Sequence, residues 1–212
     1  MKESKRNSRI RLLVKRLNRQ RKKQATQIDL LCNDIIKAHG DFIGTVRMLS
    51  FAAEFYESLI GMGDLDNLFY TAACTIKKQI PDVNIAFFLT QPDNFQLYAF
   101  DSSTGQTDEQ YRLEQHFSAQ LVRSVAGANR PCDLNELLEM GLHASPPVLK
   151  NTSAITIPIA PNEPAAAFML IYKSSPQTLN LRQVALVCTV TRGLARAIRA
   201  CCAAERAASH QD

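Results

Sequence analysis

The chain has 212 residues, 46% of them hydrophobic, enough to fill one good core and leave length that need not join it. No run of eighteen uncharged apolar residues occurs, and the first twenty residues hold no apolar core of the secretory type, so a cytoplasmic protein without a membrane span is expected. The formal net charge of +5 is uneven: residues 1–23 hold eleven Lys or Arg against Glu3 alone, a net +10, so the remainder carries −5.

This basic arm offers Arg9, Arg11, Lys15, Arg16, Arg19, Arg21, Lys22 and Lys23 as anion contacts. It has no aromatic side chain to stack on a base, so nucleic acid would be held through its phosphates, with steep salt dependence. An anionic membrane surface would use the same charge, with Ile10, Leu12, Leu13, Val14 and Leu17 to insert. A solvated helical end that docks an acidic protein is the third reading.

A seven-residue apolar repeat runs from Asn7 to Leu59. One seam position holds Asn7, Val14, Arg21, Ile28, Ile35, Phe42, Leu49 and Tyr56; its partner holds Ile10, Leu17, Gln24, Leu31, Ala38, Thr45, Ala52 and Leu59. That spacing predicts a helix paired with another helix, weakest where Arg21 and Gln24 interrupt it. Gly40 and Gly44 fall inside it, each costing about 1 kcal/mol relative to Ala. They allow close approach, mark a bend, or are weak spots.

Gly61-Met-Gly63 predicts the end of that helix. Asp64 or Asp66 caps a second helix, Leu65 to Gln79, closed by Pro81-Asp82. Asn84 to Thr90 is nearly all apolar, as in a strand covered on both faces and central in its sheet; Gln91 to Asn94 turns into a partner strand, Phe95 to Phe100. A polar loop, Asp101 to Asp108, precedes an amphipathic helix from Glu109 to Val125, with Tyr111, Leu113, Phe117, Leu121, Val122 and Val125 on its apolar side and Glu114 and His116 on a solvated one. Cys132-Asp133 suggests a short edge strand, Leu134 to Met140 one or two helical turns, and Gly141 to Asn151, with Pro146-Pro147, an irregular loop. Ile155 to Ile159 and Ala167 to Tyr172 read as a hairpin around Pro161-Asn-Glu-Pro164; Pro158 puts the first strand at an edge or a bulge. From Leu179 one helix is expected to run almost to the C-terminus. The expected division is arm 1–23, coiled-coil helix 24–61, folded domain 64–205 and tail 206–212.

This order of elements resembles the GAF family of small sensory domains. Leu65 to Leu89 is similar to that family's opening helix and first strand, Ser118 to Asp133 to its Gly-broken middle helix with Arg-Pro before a short strand, and Ser153 to Ile159, Phe168 to Tyr172, the Ser-Ser-Pro break and the final helix to its closing hairpin and exit helix. The resemblance spans Leu65 to Ala204, about two thirds of the chain. It implies an α+β, GAF-like and PAS-related antiparallel sheet flanked by helices, preceded here by a long N-terminal helix, in a sensory protein of bacterial signal transduction. Pro164-Ala-Ala-Ala167 departs from the family's glycine-rich hairpin. The nucleotide-binding branch's Asn-Lys signature has no match and no cysteine stands in a tetrapyrrole-anchoring context, so no cofactor is carried over.

For catalysis, Gly-x-Ser-x-Gly, the phosphate-loop pattern and His-Glu-x-x-His are absent, and His143 with Ser145 lacks an orienting acid, so no enzyme is expected. The six cysteines form no Cys-x-x-Cys pair and the four histidines are scattered, which supports neither a metal site nor a disulfide framework; Cys201 and Cys202 read as small apolar fillers before a redox switch. The resemblance implies a ligand pocket beside the sheet, walled by Phe87, Leu89, Phe95, Leu97, Tyr98, Phe117, Leu121, Leu134, Leu138, Ile155, Ile157 and Tyr172, with Arg123 and Arg130 as anion contacts, unless these residues simply fill the core. A homodimer is expected through Ile28, Leu31, Ile35, Phe42, Leu49, Tyr56 and Leu59 with Val187, Val190, Leu194 and Ile198, in a parallel bundle, unless both helices fold back on their own domain. A separate signalling output protein is the expected partner; any small-molecule ligand is undefined.

Overall fold

A computed structural model of the chain describes residues 2–91, 94–101, 112–150, 152–159, 167–174 and 178–208. Pro92-Asp93, the polar loop from Ser102, Tyr111, the hairpin turn with most of Pro164-Ala-Ala-Ala167, the Ser-Pro break at 175–176, the tail from 209 and the side chain of Arg9 lie outside the described residues. The chain divides into two compact units, Met1–Leu49 and Ser50–Asp212. The boundary falls inside the first helix, and Phe51, Phe55 and Leu59 beyond it are buried in the sheet domain's core.

Helix α1 spans Lys2–Leu59 and ends where Gly61 adopts φ 81°, the left-handed conformation that stops a helix and that glycine tolerates. Helix α2 spans Leu65–Gln79; Asp64 caps it, its carboxylate accepting from Asn67 N at 2.8 Å. Strands β1 (Asn84–Thr90) and β2 (Phe95–Phe100) form the expected hairpin, with Gln91 N donating to Asn94 O at 2.9 Å. Then come α3 (Ala119–Ala128), β3 (Cys132–Asp133), α4 (Leu134–Glu139), α5 (Pro146–Lys150), β4 (Thr152–Ile159), β5 (Ala167–Ser174), α6 (Leu181–Cys188) and α7 (Thr191–Ala208).

All pairings are antiparallel, in the order β2-β1-β5-β4-β3. β1 is interior, as its apolar run requires, but β5 is the middle strand and its residues are buried from Ala167 to Lys173. β4 has a neighbour on each side, yet β3 pairs only with Ile155 and Thr156, so Pro158 sits beyond its reach, where a missing donor costs no ladder bond to β3.

Period-two alternation sends Ile85, Phe87, Ile157, Met169 and Ile171 to one face, under α2, α6, α7 and the end of α1, and Ala86, Phe88, Phe168, Leu170 and Tyr172 to the other, under α3, α4 and α5.

Three sequence expectations are corrected. The helix expected over 109–125 is, within the described residues, a 3-10 turn at Leu113–His116 followed by α3. Ser118 breaks the run because its hydroxyl caps α3, accepting from Leu121 N at 3.2 Å. The supposed loop Gly141–Asn151 contains α5: Pro146 stands at the first helical position, where no donor is needed, and Ser145 O accepts from Val148 N at 3.0 Å and Leu149 N at 3.2 Å. The single exit helix is two, interrupted at Thr189-Val190, where the Thr189 hydroxyl donates to Leu186 O at 2.6 Å.

Candidate functional site

Strand register divides the twelve proposed pocket residues between the two sheet faces. Phe87 pairs with Tyr98 and with Met169, and Met169 with Ile157, so these form one row; Leu89 and Ile155 pack on that same side. Tyr172, Phe117 and Leu121 are buried on the opposite side, with Phe95 and Leu134 against them. Leu97 and Leu138 are each 38% exposed. The set therefore cannot wall one cavity.

Aromatic rings fill the space beside these residues. On the first face Phe69 stacks on Phe87 at 4.7 Å and meets Tyr98 at 4.5 Å. On the second, Phe88 stacks on Phe168 at 4.7 Å and tilts against Phe117 at 4.8 Å. Such ring pairs contribute about 0.5–1.5 kcal/mol each beyond their buried area.

The second face also holds a polar pair that the sequence did not reveal. Tyr172, 1% exposed, donates its hydroxyl to Glu114 Oε2 at 2.6 Å, and Glu114 is itself 3% exposed. Burial first, and the facing carboxylate second, hold the Tyr172 phenol far above its usual range, so it remains a donor. Glu114 is not on a solvated helix face: it lies in the 3-10 turn Leu113–His116, buried there together with Leu113. Nearby, Arg112 pairs with Asp101, and Lys77 donates to Asp101 O; the two partners of this ion pair flank residues 102–111. Burial draws the Lys77 ammonium below its usual range.

Of the two expected anion contacts, Arg130 pairs with Glu136, which belongs to the cap of α4: Glu136 Oε2 accepts from Asp133 N and Asp133 Oδ1 from Glu136 N, both at 2.9 Å. The Arg130 guanidinium and the Asp133 N–H hold the Glu136 carboxyl below its usual range. Arg123 is exposed on α3. His143 and Ser145 are exposed. Among the described residues no three His, Cys, Asp or Glu side chains converge as metal ligands. Cys201 is buried, with its thiol toward Met62 O at 3.6 Å, a core filler.

The expected dimer residues also separate. Ile28, Leu31, Ile35, Phe42 and Leu49 are 59–67% exposed in α1. Ile36, Ile43 and Val46 widen this apolar surface. By contrast Leu59, Val187, Val190, Leu194 and Ile198 are 0–8% exposed: they fill the chain's own core under the sheet and are not available to a partner. Tyr56, 38% exposed, bridges to the exit helices, donating its hydroxyl to Thr189 O at 3.0 Å.

Within the basic arm, Arg11, Lys15, Arg16, Arg19, Arg21, Lys22 and Lys23 are all exposed. Among the described residues no helix is long and apolar enough to cross a membrane.

No family model and no curated protein matches the chain. Solved structures do. A GAF domain from an Acinetobacter phosphoenolpyruvate-protein phosphotransferase is 13% identical, with a TM-score of 0.56 over 76% of this chain and 98% of that one. The chromophore-binding domain of an unusual bacteriophytochrome from R. palustris is 16% identical, with a TM-score of 0.55 over 76% of this chain and 63% of that one. The GAF domain of a Coxiella burnetii phosphoenolpyruvate-protein phosphotransferase is 12% identical, with a TM-score of 0.50 over 72% of this chain and 92% of that one.

Proposed function

With a GAF-like sensory fold as the premise, we propose that this chain is a non-enzymatic sensory and dimerisation module of a signalling system, paired with a second copy through α1. The observation that carries this reading is the exposed stripe Ile28, Leu31, Ile35, Phe42 and Leu49, repeating at heptad spacing on a helix of 58 residues. Isoleucine at the first seam position (28 and 35) and Leu31 at the second is the combination that two-stranded parallel coils prefer. Removing the remaining exposure of these five side chains contributes about 5–9 kcal/mol per chain, at about 1.5–3 kcal/mol per fully buried side chain. Two chains together give about 10–18 kcal/mol against an association cost of about 4–15 kcal/mol, so burying this stripe is a gain of the size that pairing requires.

Input would reach this helix through Tyr56, which lies on α1 and is bonded to the break between α6 and α7. A change in how α7 packs on the sheet would then alter the setting of α1, and through it the dimer.

The test is light scattering of the full chain at tens of micromolar, with Ile35→Asn and Phe42→Ser as variants. Two chains per particle for the native protein, and one for the double variant with helicity retained, is the expected result. One chain per particle for the native protein overturns the dimer.

A further inference from the structure

We propose that residues 11–27 of α1 form a binding surface for the phosphate backbone of duplex DNA, carried by Arg11, Lys15, Arg19, Lys22 and Lys23. This goes beyond the dimer reading and does not require it, because the surface belongs to each chain.

The five cations recur at helical spacing along one side of α1, and all are exposed. Thr26 and Gln27 stand one turn beyond Lys22 and Lys23 on the same helix, placing two polar side chains beside three cations. No acidic residue occurs between Glu3 and Asp29, so nothing in this stretch competes for the charge. A continuous cationic helix face complements a continuous polyanion, in which duplex DNA carries one charge per roughly 1.7 Å of axis.

The alternatives fit less well. The exposed apolar side chains Leu13, Val14 and Leu17 are confined to the first turns of this surface, and from Asn18 to Gln27, where Arg19, Lys22 and Lys23 stand, there is no large apolar side chain to bury in lipid, as an interfacial membrane helix must. The first aromatic residue of the chain is Phe42, so the surface offers no ring for stacking unpaired bases, the main contact of single-strand binders. A helix fits the major groove of B-form DNA, about 12 Å wide, whereas the A-form major groove of RNA is too narrow for it.

The test uses the full chain and the variant Lys15→Gln, Arg19→Gln, Lys22→Gln, Lys23→Gln; glutamine keeps helix propensity while removing charge. Probes are a fluorescent mixed-sequence duplex, the corresponding single strand, and phosphatidylserine-containing vesicles, each across a salt series. With about six phosphate contacts, duplex affinity should fall about a thousandfold between 50 and 200 mM salt. In the variant the slope of log affinity against log salt should shrink by about 3 to 4, with helicity unchanged by circular dichroism. Equal duplex affinity for both proteins, or vesicles or single strands bound as tightly as the duplex, overturns the proposal.

Discussion

Tyr56 lies directly across Gly193: a Cβ built on Gly193 would stand 2.0 Å from Tyr56 Cε1, while the Tyr56 hydroxyl is tied to Thr189 O at 3.0 Å. Glycine at 193 is what lets the first and last helices of the sheet domain approach this closely. An alanine would normally stabilise a helix by about 0.5–1 kcal/mol over glycine. Here the tethered ring cannot swing aside without losing its hydrogen bond, so Gly193→Ala should lower stability in denaturant titration. In a Tyr56→Ala background the same substitution should become stabilising, and a sign that stays the same in both backgrounds would remove this explanation.

The pair Tyr172–Glu114 makes a second prediction. Tyr172→Phe leaves a carboxylate that is 3% exposed without this donor, at a cost of about 1–3 kcal/mol. Adding Glu114→Leu should recover part of that loss, since removing both polar partners is far cheaper than removing one. A double variant no more stable than Tyr172→Phe would contradict the pairing.

Acid should loosen the cap of α4. The folded-state carboxyl of Glu136 is held below its usual range by Arg130 and Asp133, so its contribution is present above the unfolded pKa and is lost as pH falls through the lower, folded value. Glu136→Gln keeps an acceptor for Asp133 N but removes the charge. Its stability should therefore fall less steeply with acid than that of the native chain, as measured by denaturant midpoints on both sides of the carboxylate range.

Gly40 and Gly44 offer a test of the seam. A Cβ at either meets nothing within 4 Å, and both lie off the two heptad positions that carry Ile28, Leu31, Ile35, Phe42 and Leu49. Gly40→Ala with Gly44→Ala should raise helix stability by about 1 kcal/mol each. Dimer affinity should hold or tighten; a weaker dimer would show that a partner helix approaches at the glycines instead of the seam.

Local pattern alone located most elements of this chain. A cap at Asp64 or Asp66, the apolar run Asn84–Thr90, the strand Phe95–Phe100 and a stop at Gly61-Met-Gly63 all depend on neighbours within a few residues, which the sequence displays directly; the structure selects Asp64 and Gly61. The missed breaks were local too, but each came from a small side chain competing for backbone hydrogen bonds: Ser118 before α3 and Thr189 between α6 and α7.

What the sequence by itself determined, then, was most of the helices and strands, the uneven charge and the heptad stripe, because periodicity is a property of consecutive residues. Tertiary structure alone decided how those surfaces are used. Antiparallel register set Phe87 with Tyr98 and Ile157 on one face, while Tyr172 and Phe117 lie on the other, so the residues that the family resemblance had placed around one pocket are divided between two faces. It joined Tyr172 to Glu114, 58 residues earlier. It also buried Val187, Val190 and Leu194 against the sheet, whereas Ile28, Leu31, Ile35, Phe42 and Leu49, equally apolar, are 59–67% exposed, since burial depends on what faces a residue across space.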